Sequence, residues 1–97
     1  MAYFGQLYLD KEKDIAILAF DETANVQPLK VDGATRLLRG QPVTAIGSPK
    51  GILNTVSSGN ISNTYSWSAA VPDAIQFTAP ISPGSSGGAL FNEQGSV

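Results

Sequence analysis

The sequence predicts an all-β domain, on three observations. Short runs of β-branched, aliphatic and aromatic residues follow one another at close spacing, Gly, Pro and Asp punctuate them, and helical periodicity is nearly absent. Ninety-seven residues suffice for one small domain and a single core. A chain that is 42% apolar and 14% charged has the balance of a packed domain, not of a disordered tail.

The elements follow in order. Tyr3 to Leu9 alternates loosely and reads as a strand that ends in the charged turn Asp10-Lys11-Glu12-Lys13. Ile15 to Phe20 is a near-continuous apolar run of strand length, expected to be buried and closed by Asp21-Glu22. Residues 21–41 carry Pro28, Gly33 and Gly40 and read as a linker, with Arg36-Leu37-Leu38-Arg39 giving at most one helical turn. Val43 to Ile46, a break at Gly47-Ser48-Pro49-Lys50-Gly51, and the β-branched stretch Ile52 to Ile61 predict a hairpin. Asn63 to Asp73, with Tyr65 and Trp67, reads as an exposed loop before a strand over Ala74 to Thr78. A Gly/Ser/Pro loop at 82–88 then leads into Ala89-Leu90-Phe91 and a turn at Asn92 to Gly95.

Composition removes several classes of function. The net charge is -2 and the six Lys and Arg residues are scattered, so a phosphate backbone finds no basic patch and no nucleic-acid partner is expected. Without cysteine there is no disulfide, thiolate site or cysteine nucleophile, and without histidine a zinc site would rest on carboxylates alone; no metal or other cofactor is expected. No apolar stretch approaches the ~18 residues of a membrane span, so no membrane partner is expected.

The sharpest motif is Pro83-Gly84-Ser85-Ser86-Gly87-Gly88, followed by Ala89-Leu90. Acyl transfer needs a hydroxyl presented on a tight turn, with backbone N–H groups aimed at the carbonyl oxygen as it becomes an oxyanion. A glycine two positions before the serine offers one such donor with no side chain in the way, and the serine offers its own. Such a run also arises as a plain flexible loop, but here Ile81 and Ala89-Leu90-Phe91 anchor it between apolar segments. Asp14 directly precedes an apolar strand; by itself it suits a turn, and beside a histidine it would suit the orienting acid of a triad.

Together these residues resemble a known family. Asp14-Ile15-Ala16-Ile17-Leu18, Val43 to Pro49 with Gly51, Thr55 to Ser62, Ile75-Gln76 and Ala79 to Leu90 are similar to the successive blocks of HtrA/Deg-type trypsin-like serine peptidases. They occur in that family's order, and Asp14 and Ser86, 72 positions apart, fit the spacing of its triad aspartate and serine.

The resemblance implies a trypsin-like double β-barrel of which only the end of barrel 1 (residues 1–20) and most of barrel 2 (42–97) are present, joined by the 21–41 linker. It implies Ser86 as nucleophile, Asp14 as the histidine-orienting acid, and the amides of Gly84 and Ser86, helped by that of Ser85, as the oxyanion hole. Ala79, Pro80 and Ile81 would floor a specificity pocket that holds no acid and so favours a small or apolar side chain. The family usually has Asn at Ser85 and Asp at Thr78, departures that remove no catalytic atom.

The implied partner is a peptide or unfolded protein, in an extracytoplasmic setting. The family's histidine lies upstream of the aspartate, so the chain reads as a fragment, catalytically silent alone, whose open strand edges pair with another copy. The alternative is a pseudo-protease or a β-barrel module that holds peptides without cleaving them.

Overall fold

In the computed structural model, residues 3–20, 27–33 and 36–97 are described. Among the described residues six strands form two antiparallel sheets. The first sheet is a hairpin of β1 (Tyr3–Asp10) and β2 (Ile15–Phe20), paired from Tyr3↔Phe20 to Asp10↔Ile15. Asp10 builds its turn: Oδ1 accepts the N–H groups of Glu12 (3.1 Å) and Lys13 (3.0 Å), and Asp14 closes it in the left-handed region at φ 58°. Short polar side chains tolerate that conformation better than bulky ones do.

The second sheet has the order β5-β4-β3-β6, from β3 (Pro42–Gly47), β4 (Thr55–Tyr65), β5 (Ala74–Phe77) and β6 (Ala89–Phe91). The β3–β4 register runs from Pro42↔Asn60 to Gly47↔Thr55, and β6 pairs with the other side of β3 through Ala45↔Leu90. A single 3-10 turn, Pro49–Gly51, lies between β3 and β4. Two segments outside the strands tighten this sheet. Gly40 donates to the Ile61 carbonyl and Ile61 to that of Gln41, while Asp32 and Val97 are joined by Asp32 N–H to Val97 O and Val97 N–H to Lys30 O, both 2.8 Å.

Three expectations are corrected. The Ile15 to Phe20 strand forms but is not buried: Ile15, Ile17, Leu18 and Phe20 are 44–50% exposed, because their hairpin pairs only with itself among the described residues. The second hairpin strand starts at Thr55, not Ile52, since Lys50 and Asn54 take positive φ and the Thr55 hydroxyl bonds back to the Ile52 carbonyl. That strand continues through Asn63 to Tyr65, which pair with Gln76 to Ala74 across a bulge, so the exposed loop is shorter than expected. Residues 36–38 carry no helix, within the expectation of at most one helical turn there. Asp21 and Glu22, read as the end of β2, lie outside the described residues, as do the linker positions 23–26, 34 and 35.

The core is small. Among apolar residues described, Val43, Ala45, Ile61 and Ala79 are buried, which places it at the centre of the β3–β4 pair and against the segment that leads to the serine loop.

Candidate active site

The loop between β5 and β6 owes its shape to glycines and a few backbone bonds. Ser85 N–H donates to the Ser82 carbonyl and Gly88 N–H to that of Ser85, both at 3.0 Å, so residues 82–88 form two consecutive tight turns. Lys50 N–H donates to the Pro83 carbonyl (3.0 Å), pinning the loop to the 3-10 turn after β3. Gly84 has φ 98°, and a Cβ there would lie 2.9 Å from Lys50 N and 3.0 Å from the Ser48 carbonyl oxygen. At Gly88 a Cβ would lie 2.7 Å from the Ile46 oxygen. Both positions are closed to any side chain by backbone, which is why glycine stands there.

On this loop Ser86 is exposed, and its hydroxyl has no hydrogen-bond partner among the described residues. The N–H groups of Gly84 and Ser86 are likewise unengaged, whereas the Ser85 amide is taken by Ser82. Ser85, Ser86, Pro80 and Ile81 line one cavity of about 340 Å³, with Ser57, Phe77 and Leu90 on its other walls. Among the described residues no charged one lines it. Ala79 is buried beside this wall. Asp14 stands apart, on the β1–β2 turn; it does not line the cavity and has no hydrogen bond or ion pair among the described residues.

Two residues with no role assigned from the sequence support the wall. Thr78 N–H donates to the Asn60 carbonyl (3.0 Å) while Thr78 Oγ1 accepts Asn60 N–H (2.9 Å), a two-way clasp that carries the β4–β5 pairing beyond Phe77. Threonine thus supplies at this position an acceptor of the kind an aspartate would have given. Gly59 makes the clasp possible, because a Cβ there would run into Ala79 N and Thr78 Oγ1. The second is Ser57, whose hydroxyl donates to the Pro80 carbonyl at 2.6 Å. A polar residue on the inward side of an alternating strand was the signal that could have found it.

No group of three or more acidic residues able to hold a metal occurs among the described residues.

Residues 5–97 match the trypsin-like peptidase domain, and the chain belongs to that family. It is 39% identical over 100 residues to serine protease PepD of Mycobacterium tuberculosis, covering 94% of this chain and 22% of PepD. It is 37% identical over 93 residues to anti-sigma-I factor RsgI9 of Acetivibrio thermocellus, covering 96% of this chain and 13% of that protein. Among solved structures it superposes on Deg5 with a TM-score of 0.82 at 30% identity, over 96% of this chain and 47% of that one. The resemblance to HtrA/Deg-type peptidases and the all-β, trypsin-like fold therefore hold, and the chain spans less than half the length of each of these relatives.

Proposed function

We propose that the chain supplies the nucleophile half of a serine endopeptidase. The observation that carries this reading is an unengaged Ser86 hydroxyl lining a cavity that no charged residue lines among the described residues, with the amides of Gly84 and Ser86 also unengaged on the same loop. Ser86 Oγ attacks the scissile carbonyl carbon, its proton passes to a histidine, and the two amides take the developing oxyanion. Ser85's amide is left out, being committed to Ser82. Asp14 holds that histidine in the correct tautomer with a carboxylate that has no competing partner among the described residues.

The 97 residues contain no histidine, so the base comes from elsewhere in the complete protein and the isolated chain does not turn over substrate. Residues 1–20 belong to the first barrel, 21–41 cross between barrels and 42–97 belong to the second. The substrate is an extended peptide or unfolded protein, and the uncharged cavity takes a small or apolar side chain before the cleaved bond. In the isolated chain, exposed strands pair with a second copy.

A non-catalytic module that binds peptides is the second reading. It is favoured by one observation, that a similar domain occurs in a protein named as an anti-sigma factor. Serine-directed fluorophosphonate labelling of the complete protein separates the two. The peptidase reading expects an adduct that Ser86→Ala abolishes; no adduct on a folded wild-type protein leaves the binding module.

A further inference from the structure

The wall of the cavity has one tether. After the Thr78–Asn60 clasp the chain leaves β4, and it is next held within itself where Ser85 N–H meets the Ser82 carbonyl. Between these points, residues 79–81, the hydroxyl of Ser57 on the Pro80 carbonyl (2.6 Å) is the one hydrogen bond among the described residues. Pro80 has no N–H, so its carbonyl is the only backbone polar group by which it can be held.

Ser57 lies on the side of β4 that carries the buried Ile61 and the half-buried Thr55 and Gly59. An aliphatic side chain would serve packing there; a hydroxyl has a reason only if it has a partner. Ser57, Pro80, Ile81 and Ser86 all line the same cavity, so the tether fixes the Pro80–Ile81 wall where that wall meets β4.

We propose that Ser57 is a positioning residue that sets how far the Pro80–Ile81 wall stands from Ser86, and thereby the size of side chain accepted before the scissile bond. This rests on the peptidase reading above. With the tether in place the wall is drawn toward β4 and small aliphatic side chains are preferred. Without it the wall retreats, small side chains lose contact and larger ones gain room.

The test is the complete protein and its Ser57→Ala and Ser57→Thr variants, assayed on peptides that differ only in having Ala, Val, Leu or Phe before the cleaved bond. Ser57→Ala is expected to raise KM for the Ala and Val peptides by about 2- to 10-fold, the worth of one net hydrogen bond, with kcat little changed. The Leu-to-Val ratio of kcat/KM rises correspondingly, and Ser57→Thr, which keeps the hydroxyl, restores the wild-type order. An unchanged order in Ser57→Ala, or an equal loss of kcat on all four peptides, overturns the proposal while leaving the peptidase reading intact. A wild-type protein that neither cleaves nor takes a fluorophosphonate overturns both.

Discussion

At the scale of single residues, the serine loop is dictated less by what its side chains do than by where they are forbidden. Gly84 and Gly88 sit against the backbone of the β3 end and the following turn, with Ile46 O only 2.7 Å from where a Gly88 Cβ would be. Both the atom met and its carrier are backbone, so nothing can step aside cheaply. Gly88→Ala should therefore destabilise the domain by about 1–3 kcal/mol. Thermal melts are expected to fall by several degrees, since ~1 kcal/mol moves a domain of this size by roughly 4–8 °C; an unchanged melt would show that the approach is not a fixed feature. The tight loop that carries Ser86 was legible in the sequence because Gly, Ser and Pro fall together there between apolar segments. Ser57 and the Thr78–Asn60 clasp were not, because a single hydroxyl on a strand reveals its partner only once the strands are paired.

At the scale of elements, alternation and turn chemistry located β1 to β5, while β6 and the ends and burial of the strands followed from three-dimensional neighbours. The apolar run Ile15 to Phe20 reads as buried, yet its exposure depends on whether a second layer covers it, which no local pattern encodes. The turn joining β1 to β2 is a case where local chemistry does decide. Bonds from the Lys13 amide, and then from the Tyr8 hydroxyl (3.2 Å) and the Glu12 amide, hold the Asp10 carboxyl below the usual aspartate range; the same Asp10 contact raises the Tyr8 phenol. A depressed folded-state pKa gives stability that is complete above the unfolded value, about 3.9, and is lost as pH falls through the lower folded value. The amide resonances of Glu12 and Lys13 should thus titrate with a midpoint below 3.9, the turn loosening only on the acid side of it. A midpoint at or above that value would mean the carboxylate does not cap the turn.

At the scale of the molecule, a core that among the described residues holds four small or medium apolar side chains supports strands that leave Leu7, Leu9, Ile17 and Leu18 about half or more exposed. Unpaired strand edges beside such surface favour association. The 97-residue chain is expected to sediment as a dimer or larger species at micromolar concentration, and a monomer across that range would contradict the proposed edge pairing. The family and its two-barrel fold were readable because the blocks around Asp14, Ser57 and Ser86 occur in one order along the chain. How Asp14 on the β1–β2 turn stands to Ser86 on the loop before β6 was not, since the strands that carry these two segments belong to different sheets.

The claim that most needs testing is that Ser86 is the nucleophile. The measurement is fluorophosphonate labelling of the complete protein followed by peptide mapping of the adduct by mass spectrometry, beside the isolated chain. The account predicts one adduct, on the peptide containing Ser86 and on that residue, in the complete protein, with little or none in the isolated chain. An adduct on another serine, or none on folded wild-type protein, would contradict it.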